Sequence, residues 1–255
     1  MTFQVGLIGT DGMILASDKR ITRVDATGAD ATSRGRTLHH GGTSAKITCN
    51  EQGSIIYCAA GGHLGEAIAR EYMKAPVEGD IGKELLAARE RVESNNPAFS
   101  EGELLLAQIV DGRAGLWHMD VRPGVWSAPH RVEDKVQIGD AGNLAAFFVE
   151  MYAPTPLRGL RTVVELKFLA AHSIRVAGLL NPAFVGDLEM WIHRTGQECF
   201  IQVEDDEIRT LISRSDALTE ELSSKLFSIS SEDLRVAGFR LRSFASAEAT
   251  DSIGE

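Results

Sequence analysis

The chain is poor in cysteine, poor in positive charge and without a long apolar run. Its three cysteines, Cys49, Cys58 and Cys199, are an odd number with no Cys-x-x-Cys pair. That argues against a disulfide framework and against a zinc site. Twenty-six Lys and Arg face 36 Asp and Glu, a net charge of −10, and an acidic surface disfavours nucleic acid and anionic membranes as partners. No apolar stretch approaches the roughly 18 residues that cross a bilayer. The first residues do not follow the order of a signal peptide, basic then apolar then a cleavage site, so the expected location is the cytoplasm.

What is present is ordinary for a globular protein. The 255 residues are 44% hydrophobic and 24% charged, enough to bury a sizeable core. "FQVGLIG", "TDG" and "MILASD" read as strand, turn and strand. Residues 22–45 are polar, Gly-rich and aperiodic, and read as a long loop. "KITCN" and "SIIYCAAGG" form a second hairpin around "EQG".

After Gly61-Gly62 the apolar spacing becomes helical, predicting helices near 63–75 and 80–95. Strands return at 103–110 and 114–120, and "KVQIGD" is another short one. Helices are predicted at 141–152 and 159–180, strands at 187–194 and 198–203, and a charged helix at 204–227. The tail from residue 229 loses its pattern and reads as partly disordered. The expected organisation is one domain over 1–228 and that tail over 229–255. Runs of strands separated by pairs of helices argue for an α+β layered domain, with two antiparallel sheets between helical layers.

The second residue carries the chemistry. Removal of Met1 would place a hydroxyl and a free α-amine together on Thr2. An α-amine titrates near ~7.7–8.0, close to the pH at which a general base works best. Nucleophile and base then come in one residue. Such a site needs a cation beside the hydroxyl, an acid to fix that cation, and backbone N–H groups for the oxyanion.

Six landmarks follow in order: Thr2; Val5-Gly6; Asp11-Gly12; Ala16-Ser17-Asp18-Lys19-Arg20; Lys46-Ile47; and Ala60-Gly61. Together they resemble the N-terminal half of proteasome β-type subunits and of HslV-type bacterial peptidases, which are N-terminal-nucleophile hydrolases. The resemblance continues more weakly to about residue 203. The extra length beyond it resembles the Anbu branch of bacterial proteasome homologues, while "LASDKRIT" looks closer to the proteasome itself.

The resemblance implies a four-layer αββα sandwich. It implies Thr2 as nucleophile and base, Lys46 as the cation, Asp18 as its orienting acid and Arg20 as a brace. The N–H of Gly61, or of Gly62, would meet the oxyanion. Departures accompany these matches. The family's Gly-Ser-Gly-Ser turn reads Gly139-Asp140-Ala141-Gly142, and its Asp-x-x-Ser pair falls on Asn181-Pro182-Ala183-Phe184. Asp140 reads either as an extra acid near the amine or as a helix N-cap. Asn181 keeps a hydrogen bond without the charge, and Phe184 replaces a hydroxyl with a ring.

The implied activity is a threonine peptidase in a ring of identical subunits, acting on peptides without metal or cofactor. An ATP-dependent unfoldase is the implied partner. Two alternatives stay open: a non-catalytic proteasome-like scaffold, and an amidase for small non-peptide amides.

Overall fold

In the computed structural model the described residues are 2–26, 36–95, 101–122, 127–139, 149–153, 161–182 and 185–228, with 21–26, 36–42 and 226–228 described by backbone alone. The chain opens with a hairpin of β1 (Phe3–Gly9) and β2 (Gly12–Asp18). Their apolar runs are nearly continuous because both faces are buried. Phe3, Val5, Leu7, Ile14 and Ala16 point into one hydrophobic cluster, and Met13 and Leu15 into another.

The hairpin sits inside a five-stranded antiparallel sheet. β10 (Lys135–Gly139) pairs with β1, while β11 (Leu188–Arg194) and then β12 (Ile201–Gln202) extend it beyond β2. A second five-stranded antiparallel sheet runs in chain order from β5 (Thr48–Cys49) through β6 (Ile55–Gly61), β7 (Gly102–Val110) and β8 (Arg113–Val121) to β9 (His130–Arg131). Ile56, Cys58, Ala60, Leu105 and Ala107 meet Met13, Leu15 and Ile138 between the sheets.

Helices close both outer faces. α1 (Leu64–Met73) and α2 (Ile81–Asn95) bury Leu64, Ile68, Tyr72, Leu85 and Val92 against Tyr57, Leu104 and Leu106 of the second sheet. α3 (Val163–Leu180) packs Leu166, Ala170 and Ile174 on the first sheet, joined by Ile208 and Leu211 of α4 (Asp205–Ser228). The result is the expected α+β sandwich, helix–sheet–sheet–helix. The described residues up to Ser215 form one compact unit, and 216–228 belong to a second. Among the described residues, no helix is long and apolar enough to cross a membrane.

Three details differ from the sequence reading. Residues 22–45 are not all loop: β3 (Arg20–Ala26) and β4 (Arg36–Thr43) pair as a separate antiparallel ribbon. A ribbon held by its own ladder needs no apolar face, so periodicity does not reveal it. α3 begins at Val163 rather than 159 because Thr162 caps it. The Thr162 hydroxyl accepts from Glu165 N–H and the Glu165 carboxylate accepts from Thr162 N–H, a capping box. The strand expected at 198–203 shrinks to two residues. Of the helix expected at 141–152, only 149–152 is described, and it is helical. The 229–255 tail lies outside the described residues.

Candidate active site

β2 ends in Asp18, whose side chain is completely buried. Gln4 on β1 pairs with Ser17 on β2, so the next step outward sets Phe3 beside Asp18. The Phe3 N–H donates to Asp18 Oδ1 at 2.9 Å, and the Arg20 N–H to Oδ2 at 3.1 Å. Lys46 arrives from the segment between the ribbon and β5. Its Nζ donates to Asp18 Oδ2 at 2.8 Å and to Thr2 Oγ1 at 3.0 Å. Residues 44 positions apart in the chain thus meet at one hydroxyl.

The electrostatics of the pair are opposed by burial. Burial pushes the Lys46 ammonium below its ordinary value, against the pull of Asp18 and, more weakly, of Glu189. Burial likewise raises the Asp18 carboxyl, against Lys46 and the two backbone N–H donors. A cation that gives up its proton more readily than usual, hydrogen-bonded to a hydroxyl, makes that hydroxyl easier to deprotonate.

Thr2 opens onto a cleft of about 520 Å³ that Gly61, Gly102 and Gly139 also line. The Gly62 N–H donates to Glu101 O at 2.6 Å, and Ile109 N–H to Ser54 O. With Gly61 opposite Gly102, those bonds make the even-numbered residues of β6 the hydrogen-bonded ones toward β7. Gly61 faces the other edge, where β5 pairs only with Ile56 and Tyr57. Its N–H therefore lies outside both ladders, while that of Gly62 is committed. Gly139 lines the cleft next to Thr2 and Ala60 at φ +88°. A Cβ there would fall 2.0 Å from the Thr2 carbonyl oxygen. Its N–H donates to Glu103 Oε2 at 2.9 Å, and Asp120 and Arg122 pair along the same rim.

The structure brings Thr2, Asp18, Lys46 and Gly61 together. Arg20 joins through its N–H alone. Its side chain lies against Gly186 in a different cleft of about 440 Å³ beside α3. Asn181 is the C-cap of α3, its N–H donating to Ala177 O and its carbonyl accepting from Val185 N–H, and it does not line the Thr2 cleft. Asp140 and Phe184 lie outside the described residues.

One residue escaped the sequence reading. Glu189 on β11 is 3% exposed, and its carboxylate takes the N–H groups of Lys46 and Ile47. Its signal was an acid inside the otherwise apolar strand "LEMWI".

Solved structures of two Anbu proteins are similar to this chain. Anbu from Hyphomicrobium sp. strain MC1 superposes with a TM-score of 0.63 at 14% identity, covering 91% of this chain and 99% of that one. A Gly-1 mutant of the same protein gives 0.61 at 15%, covering 88% and 99%. Anbu from Yersinia bercovieri, described as an ancestral β-subunit, gives 0.61 at 15%, covering 94% and 99%. The fold is the proteasome-like N-terminal-nucleophile fold. At these identities the likeness is one of fold. No family model matches the sequence, and no curated protein matches it.

Proposed function

We propose that the chain is an N-terminal threonine hydrolase of the proteasome-like fold, a peptidase subunit that acts after loss of Met1. The observation that carries this reading is Lys46 Nζ, within hydrogen-bond reach of both Thr2 Oγ1 and Asp18 Oδ2. In the proposed reaction the freed α-amine of Thr2 takes the hydroxyl proton, directly or through one water. Oγ1 then bonds to the carbonyl carbon of the substrate. Lys46 offsets charge developing on Oγ1, and the Gly61 N–H donates to the tetrahedral oxyanion. The C–N bond breaks as its nitrogen takes up the proton, leaving an ester on Thr2. Water, deprotonated by the same amine, attacks that ester; the acyl C–Oγ1 bond breaks, Oγ1 takes the proton back from the amine, and the acid leaves.

Asp18 stays ionised in this scheme and orients Lys46; Arg20 supports Asp18 from its backbone. Asp140 adds an acid beyond Gly139, and Asn181 contributes by closing the end of α3. The Anbu neighbours, one described as a β-subunit, favour assembly of identical subunits, with an ATP-dependent unfoldase as the partner that feeds peptide to the cleft. Cytoplasmic location belongs to the same proposal.

The test is the intact mass of the purified protein before and after exposure to an epoxyketone, which needs both hydroxyl and amine of an N-terminal threonine. The expected result is loss of one methionine and gain of a single adduct, absent in Thr2→Ala. Met1 removed with no adduct would sink the mechanism; Met1 retained with no adduct would favour a scaffold.

A further inference from the structure

Both ends of Lys46 are held, and by different carboxylates. Asp18 on β2 takes the ammonium. Glu189, on the neighbouring strand β11 and opposite Ser17 of β2, takes the peptide. Glu189 Oε2 accepts the Lys46 N–H at 2.9 Å and the Ile47 N–H at 3.2 Å. Glu189 Oε1 accepts Trp191 Nε1–H at 3.2 Å. All three partners are donors. A carboxylate answers all of them, whereas an amide in its place would turn an N–H toward one of them.

The location gives these bonds their consequence. Lys46 and Ile47 lead directly into β5, the edge of the second sheet, while Glu189 belongs to the first. The bonds to Lys46 and Ile47 thus tie the two sheets together next to the lysine that reaches Thr2, and the bond from Trp191 steadies Glu189 within its own strand. Leu188 and Met190 anchor β11 on its opposite face in the core beneath α3. The Lys46 side chain is long, and its Nζ reaches Thr2 only if its own peptide is fixed. Charged and thiol groups facing Lys46 are Asp18 from β2, Glu189 from β11 and Cys58 from β6.

The geometry points to Glu189 as the positioning residue that sets where Lys46 presents its ammonium to Thr2, and as the second buried negative charge beside that ammonium. This role rests on the threonine-hydrolase reading above, but it is testable apart from it. Two readouts on the full chain decide. The first is the rate of epoxyketone adduct formation on Thr2. The second is the pH midpoint at which Lys46 becomes reactive to acetic anhydride, followed by isotope-coded labelling and mass spectrometry.

In Glu189→Gln the adduct rate is expected to fall by at least about tenfold, since small misplacements of a catalytic group cost this much or more. The labelling midpoint of Lys46 should move to lower pH, because a negative charge that favoured its ammonium is gone. Glu189→Asp keeps the charge on a shorter stem. Its labelling midpoint should stay near that of the native chain while its adduct rate drops, and it serves where Glu189→Gln fails to fold. An unmoved midpoint in Glu189→Gln would overturn the role, as would adduct formation in Glu189→Asp at the native rate. If the native chain loses Met1 yet forms no adduct, the hydrolase reading falls, and the Lys46 midpoint alone still decides for or against Glu189.

Discussion

At the scale of single residues, the site depends on a buried pair whose members are each costly alone. Lys46→Met leaves the Asp18 carboxylate buried without its cation. We expect a loss of about 3 kcal/mol in denaturant unfolding, the usual size for breaking a buried ion pair, and abolition of the epoxyketone adduct. Lys46→Met combined with Asp18→Asn should recover part of the stability and none of the adduct. The pH dependence has a definite sign. Burial raises the Asp18 carboxyl, and loss of Lys46 removes the largest force opposing that rise. A raised acid binds its proton more tightly folded than unfolded. Its contribution is therefore most favourable below the ordinary carboxylate range, near ~4, and is lost as pH rises through the folded value. Melting curves of Lys46→Met should approach those of the native chain on acidification and diverge toward neutral pH. Gly139→Ala tests the cleft wall. Its φ of +88° and the 2.0 Å approach to the Thr2 carbonyl leave no place for a methyl group. It should cost more than the roughly 1–2 kcal/mol of a left-handed L-residue and slow adduct formation.

At the scale of elements, the sequence was informative wherever a segment is buried on a regular period. The hairpin from Phe3 to Asp18, α1, α2 and β6–β8 lie within a few residues of their expected bounds because core positions repeat every two or three to four residues. The β3–β4 ribbon was missed because its strands make a ladder without joining either five-stranded sheet. The start of α3 was set by side-chain capping at Thr162, a local signal stronger than the helical pattern around it. Thr162→Ala should cost about 1 kcal/mol in chemical denaturation. The adduct rate at Thr2 should be unchanged, since the cap lies at the helix end and not in the cleft.

At the scale of the whole molecule, the proposed assembly is open to direct measurement. Light scattering on the purified chain should return a discrete multiple of its own mass. A monomer at every concentration would remove the ring from the proposal and leave the site intact. The sequence by itself determined the strand–turn–strand opening and the runs of strands and helices that make the layers, because each is written in a local motif or a repeating pattern, and it named Thr2, Asp18, Lys46 and Gly61 as candidates through landmarks that resemble a known family. Tertiary structure alone decided that Arg20 reaches Asp18 only through its backbone, that Gly62 spends its N–H on Glu101, and that Asn181 closes α3 away from the Thr2 cleft. It also decided that Glu189 holds Lys46 from 143 residues away. Pairing across two sheets follows from register and packing, and register is a property of neighbouring strands that no single strand carries in its own residues.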